Sequence, residues 1–292
     1  MSALVSHLVQ CVPNFSEGRD PEVIAAIVDA VRQTPGVRLA NWSADRDHNR
    51  LVVTFVGPPD AACAAALASA AAAIQRIDLR THSGVHPRLG ALDVLPFVPL
   101  SGITLAECAA LAHSVGSSLA DRFALPVFFY EAASPGNNSL PFVRKSAFQS
   151  LLPDCGPNVP HPNAGAAVVG ARQPLIAYNV NLATADLSAS RTIAREMRVL
   201  PHLPGIRALG LRLPSRGITQ ASLNLTQPAD TPLLAVFQHI QRRAEALGTS
   251  AIESEVIGAL PGLTAFGVLA DALQAPMLKP GQVLLENWPN WY

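Results

Sequence analysis

The feature that most constrains this fold is an element order that the chain uses twice. The second half alternates apolar runs of strand length with amphipathic stretches of helix length. They run Leu175–Leu182 (strand), Asp186–Arg198 (helix), Ile206–Leu213 and Ile218–Leu225 (strands), Pro232–Leu247 (helix) and Ser250–Ile257 (strand), with a closing helix over Leu263–Leu273. Pro214-Ser-Arg-Gly217 between the paired strands is a hairpin turn by composition. Strand, helix, strand, strand, helix, strand is the split βαβ order of ferredoxin-like sandwiches.

The first half repeats that order with an added helix and strand. Leu8–Val12 reads as a strand. Asp20-Pro21-Glu22 then supplies an N-cap, a proline at the first helical position and an acidic first turn. Val23, Ile24, Ile27, Val28 and Val31 follow at helical spacing until Pro35-Gly36. Val37–Asn41 and Leu51–Val56 are strands around a polar loop, Ser43–Arg50. Asp60–Ile77 is an alanine-dominated helix, Val94–Val98 a strand, Thr104–Phe123 a helix opened by a Thr104/Glu107 capping box, and Pro126–Tyr130 a strand. The expected architecture is therefore α+β: two ferredoxin-like (split βαβ) subdomains, residues 1–165 and 166–292, with a ligand cleft between them. Residues 131–165, rich in Pro, Asn, Ser and Gly around a short possible helix (Pro141–Leu151), are either a plain interdomain connection or a ligand-covering loop.

With 49% hydrophobic and 14% charged residues, a chain of 292 can build a large core without metals or disulfides. Lys plus Arg equals Asp plus Glu, at 21 each, which argues against general nucleic-acid affinity. Cys11, Cys63, Cys108 and Cys155 are scattered, so neither a disulfide scaffold nor a zinc site is expected. The first ten residues lack a signal-peptide pattern, and alanine-rich residues 60–77 suit a packed helix better than a membrane span. A cytoplasmic protein with reduced thiols, no metal and no membrane partner is the expectation.

Chemistry concentrates in Thr81–Leu100, where His82, His86, Arg88 and Asp93 precede an apolar run. Gly84 and Pro87 oppose a helix, so the segment reads as a rigid loop presenting His86 with Arg88 beside it. His86 is either a general acid–base or an ordinary loop imidazole, and Asp93 either accepts an imidazole proton or caps the strand. The polar loop inventory is completed by Asn14, Ser16, Glu17, Asp45, Asp47, His48, Asn49, Arg50 and Arg172. No dinucleotide fingerprint, Walker loop, H-E-x-x-H, G-x-S-x-G or kinase set is present. One loop histidine with nearby carboxylates suits acyl-type transfer between amines, and the arginines suit carboxylate binding.

Five collinear segments carry a resemblance: Cys11–Gly18, Asp47–Gly57, Gly84–Asp93, Gly170–Arg172 with Ala177–Leu182, and Ser254–Pro261. Together they resemble the glutamate formiminotransferase family over nearly the whole chain. The resemblance implies a folate site in a tunnel between two ferredoxin-like subdomains, usually in a homodimer. It also implies transfer of the formimino group from N-formimino-L-glutamate to N5 of tetrahydrofolate, a step of histidine catabolism and one-carbon metabolism. The family's catalytic histidine precedes Pro-Arg, which here is His86. Its folate-contacting loop falls on Gly156, Pro157, Asn158, Val159, Pro160, His161, Pro162, Asn163, Ala164 and Gly165.

On this reading His86 is base and then acid, held by Asp45 or Asp47. Asn14, Arg50, Arg88 and Arg172 hold substrates, and tetrahydrofolate is co-substrate with no metal. The chain departs from the family at Ser43, where members often carry an acid, and at His161 and Asn163 of the folate loop. It stops where bifunctional members continue into a cyclodeaminase, so deamination is not expected. Two alternatives remain: a catalytically silent folate-binding paralogue, and a related transferase with another one-carbon donor.

Overall fold

The computed structural model describes residues 7–258 and 262–272. The end of the Ser254–Pro261 motif and Leu273 lie outside these, as do residues 1–6. Two compact units divide between Gln173 and Pro174.

The first unit runs β1 (Leu8–Cys11), β2 (Asn14–Phe15), α1 (Pro21–Arg32), β3 (Arg38–Asp45), β4 (Arg50–Gly57), α2 (Pro59–Arg76), β5 (Leu92–Ser101), α3 (Leu105–Phe123), β6 (Val127–Glu131), α4 (Leu140–Ser146) and β7 (Ala167–Ala171). β1 and β2 are one strand interrupted at Val12-Pro13, and both pair with β4 and β5. The sheet order is β3, β4, β1/β2, β5, β7, β6; the first four positions are the antiparallel split βαβ core, and β7 and β6 extend it in parallel.

Local chemistry explains the elements. Asp20 accepts from the Glu22 and Val23 N–H groups, and α1 buries Ile24, Ile27, Val28 and Val31. The capping box of Thr104 and Glu107 starts α3 as read. The seven buried positions of α2 are all alanine or serine, which lets the helix sit close against α1 and the sheet. Phe15, Leu51, Val53, Phe55, Leu95 and Phe97 complete the core under these helices.

Two expectations are corrected. β3 continues to Asp45 instead of stopping near Asn41, because Trp42 and Ala44 pair with Val53 and Leu51 across the hairpin; pairing overrides the polar composition. β7 lies between β5 and β6, so residues 131–165 are an excursion within the first unit and not a connection between units. The division after Gln173 keeps β7 with its sheet, whereas a cut at 165/166 would remove it.

The second unit runs β8 (Ile176–Leu182), α5 (Leu187–Met197), β9 (Ile206–Leu213), β10 (Ile218–Leu225), α6 (Leu233–Ala246), β11 (Ala251–Ile257) and α7 (Gly262–Ala272). Its antiparallel order β11-β8-β10-β9 is the ferredoxin-like one. Tyr178, Val180 and Leu182 pack against Ile193, Met197, Val236 and Ile240 of the helices.

No helix among the described residues is long and apolar enough to cross a membrane. The four cysteines are free.

Candidate active site in the first unit

The face of the first sheet turned away from α1, α2 and α3, on which α4 packs, carries the charge. Asp93 reaches it through a β-bulge: Asn14 pairs with Val94 and Phe15 with Leu92, leaving Asp93 as the extra residue between them. Bulges re-aim side chains in this way. The Asp93 carboxylate is fully buried, yet it accepts from Arg50 Nη1 at 2.8 Å, Arg144 Nη2 at 2.5 Å and the Leu89 N–H at 2.7 Å. Burial alone would raise its pKa, but Arg144 and Arg50, with the hydrogen bonds from Arg50 and Leu89, hold it at about 2. Asn14 Oδ1 takes Nε and Nη2 of Arg50 and fixes that guanidinium from the other side. Burial lowers the Arg50 pKa to about 10, so it remains charged at neutral pH.

His86 stands within electrostatic reach of this cluster. Burial, then Arg50 and Arg144, pull its pKa well below the usual imidazole value; Asp93 and the Pro87 carbonyl oppose them. Its Nδ1 lies 2.8 Å from the Pro87 oxygen. A carbonyl can only accept, so Nδ1 carries the proton and Nε2 presents a lone pair. The His48 ring is 5.9 Å away, centroid to centroid.

Arg88 has a different task from the one expected. All five of its N–H donors are engaged: Nε and Nη2 on the His86 carbonyl, Nη2 also on His48 O, and Nη1 on Asn49 O and His82 Nδ1. None is left for a substrate carboxylate. The guanidinium instead clamps the His86 loop to the β3–β4 hairpin. Gly84 makes this possible, since a Cβ there would sit 2.2 Å from Arg88 Nη2 and 2.4 Å from His48 O. His82, which accepts from Arg88 and whose pKa is lowered by burial and that cation, belongs to the same clamp.

Asp45 Oδ1 accepts from the His48 N–H at 2.6 Å. Asp47 offers its backbone oxygen to Val85 N–H. The carboxylate whose charge favours a protonated His86 is that of Asp93. Arg172, at the end of β7, donates to Gln173 O and hydrogen-bonds Tyr130, a phenol that Arg144 also influences.

The Gly156–Gly165 loop docks its second half on the base of the His86 loop. Asn163 O accepts from Leu79 N–H, Ala164 O from Ala91 N–H, and Leu89 O from Ala166 N–H. Gly165, at φ 68°, could not carry a Cβ, which would meet Leu89 O at 2.2 Å. His161 Nδ1 accepts from the Asn163 and Ala164 N–H groups, so this ring braces the loop. Gly156, Pro157, Asn158, Val159, Pro160 and Pro162 are exposed. Among the described residues no group of three His, Cys, Asp or Glu side chains is arranged to hold a metal.

Arg144 escaped the sequence reading, which saw only a short possible helix. A lone aspartate inside the apolar run Leu92–Val98 was the one signal that a buried cation waits nearby.

Both units match models of known protein families. Residues 8–172 match the family described as "Formiminotransferase domain, N-terminal subdomain", and residues 177–272 match "Formiminotransferase domain". The glutamate formimidoyltransferase of Streptococcus pyogenes serotype M1 is 36% identical, covering 97% of this chain and 99% of that one. The glutamate formimidoyltransferase of Thermoplasma acidophilum is also 36% identical, covering 95% and 96%. The formimidoyltransferase-cyclodeaminase of Rattus norvegicus is 39% identical over 88% of this chain, which spans only 51% of that longer relative. From its matched segments, its two subdomains and its full-length relatives, the chain belongs to the formiminotransferase domain family.

Proposed function

We propose that the protein transfers the formimino group of N-formimino-L-glutamate to N5 of tetrahydrofolate, with His86 as general base and then general acid. The observation that carries this is the His86 tautomer: Nδ1 is fixed on Pro87 O, Nε2 has no hydrogen-bond partner among the described residues, and two guanidinium groups disfavour its protonation. A base in that state accepts the proton released when the folate amine adds to the amidine carbon. The same imidazolium then protonates the departing glutamate nitrogen, and the proton count closes over the cycle. Positioning of two bound substrates supplies much of the remaining acceleration and needs no further cofactor. Arg50, fixed by Asn14 and Asp93, and Arg172 bind substrate carboxylates, and the Gly156–Gly165 loop contacts the folate. The relatives' names support the transfer class. A homodimer, a cytoplasmic location and a role in histidine catabolism belong to the same reading.

Spectroscopic assay of formimino transfer, wild type beside His86→Ala, tests it. The expected loss is about 10²–10⁴-fold with an unchanged circular dichroism spectrum. Turnover retained in a folded His86→Ala protein removes the base. A wild type that binds tetrahydrofolate but turns over nothing identifies a silent binder or a different donor.

A further inference from the structure

Beside His86 the buried charges do not balance. Asp93 has a wholly buried side chain; those of Arg50 and Arg144 are 11% and 17% exposed. Two guanidinium groups against one carboxylate leave one positive charge in excess. Arg144 donates only to Asp93 among the described residues, and its Nε is buried without a partner. Three of the five Arg50 N–H groups, by contrast, are committed to Asn14 and Asp93. A buried cation and an unmet donor both stabilise an anion that completes them.

Resting on the transfer reaction above, we propose that Arg144 receives the α-carboxylate of the amidine donor and thereby selects formimino derivatives of α-amino acids. The covalent structure of the two substrates makes the choice. In formiminoglutamate the α-carboxylate is separated from the formimino nitrogen by a single carbon, so a group acting on the formimino carbon lies close to that charge. The carboxylates of a folate sit at the far end of its aminobenzoyl arm, remote from N5, and the pterin near N5 is uncharged. An excess cation within electrostatic reach of the base therefore suits the donor and not the folate. Asp93 is the positioning residue: it sets the Arg144 guanidinium in one place and leaves its Nε free. Lysine, a point charge, would reproduce the charge but not the planar fork.

The test compares formiminoglutamate with N-formimino-4-aminobutyrate, which lacks only the α-carboxylate, in the wild type, Arg144→Gln and Arg144→Lys. Wild-type kcat/KM is expected to favour formiminoglutamate by roughly 10- to 100-fold, the worth of a charge-assisted hydrogen bond. Arg144→Gln abolishes that preference and leaves the KM for tetrahydrofolate within about twofold, while Arg144→Lys keeps part of it. A preference unchanged in Arg144→Gln, or an equal rise in both substrates' KM, overturns the assignment. L-Glutamate binding, followed through the His86 ring by NMR, separates this inference from the reaction itself. If the wild type lacks turnover but binds glutamate through Arg144, the assignment stands and the reaction fails. Should the enzyme turn over while glutamate binding ignores Arg144, the assignment alone fails. If the wild type neither turns over nor binds glutamate, both are overturned.

Discussion

The two units share a split βαβ element order and strand order, yet the sheet faces turned away from their core helices carry different chemistry. In the first, Asp93 is gripped by Arg50 and Arg144, and His86 lies in their field. The corresponding face of the second is built from amides and acids. Asn181 donates to Glu253 at 2.6 Å and to Glu255 at 3.3 Å, Asn179 reaches Glu255, and Gln220 donates to Asn181 at 2.8 Å. Asn181 and Gln220 are fully buried, so the difference is not one of solvent access. It lies in the type of compensation: a cation-rich centre in one unit, a neutral amide ladder ending in Glu255 and the Arg216–Glu253 ion pair in the other. The fold provides a face; the residues placed on it decide whether a histidine beside it is held neutral.

The comparison is broken most severely at Asp93. Asp93→Ala leaves two buried guanidinium groups uncompensated and is expected to destabilise the first unit by about 3–5 kcal/mol, read from urea unfolding. The same residue gives a pH signature. Its folded pKa, about 2, lies below the ordinary carboxylate value of about 3.9, so its contribution is full above pH ~4 and is lost as pH falls toward about 2. Subtracting the unfolding curves of Asp93→Asn from those of wild type over that window isolates the effect. Equal slopes in the two proteins would show that Asp93 is not depressed.

Arg88 gives the next effect. Because its five donors hold loop and hairpin backbone, Arg88→Gln is expected to lower kcat by about 10²-fold through displacement of His86, with little change in the KM of either substrate. A selective rise in donor KM would return Arg88 to the substrate-binding role that the sequence first indicates. The smallest effect belongs to the second unit. Asn181→Ala strands the Gln220 amide and costs about 1–3 kcal/mol of stability, while the acid limb of the His86 pH profile stays where it is. A shifted limb would mean that the amide ladder also acts on the base.

Much of this was legible in the chain. Periodicity and caps placed the split βαβ elements of both units, since Asp20, Thr104 and Pro35-Gly36 act over a few residues. The proposed base, His86, was singled out by the family resemblance, as the residue ahead of Pro-Arg. β7 was not, because Ala167–Ala171 is a short, small-residue run whose strand character comes from insertion between β5 and β6. The backbone partners of Arg88 and Asp45 were not legible for one reason: a charged loop residue reads as available, and only the folded backbone reveals which carbonyls and N–H groups it meets. Arg144 depends on Asp93, 51 residues away in sequence, and on a bulge that no local pattern announces.

The pH dependence of kcat/KM for formimino transfer, wild type beside His86→Ala, tests the central claim most directly. A neutral base in a cationic field predicts activity that persists as pH falls past 6.5, with an acid limb well below it that disappears in the variant. A limb at or above 6.5, or a profile that His86→Ala leaves intact, would contradict the account.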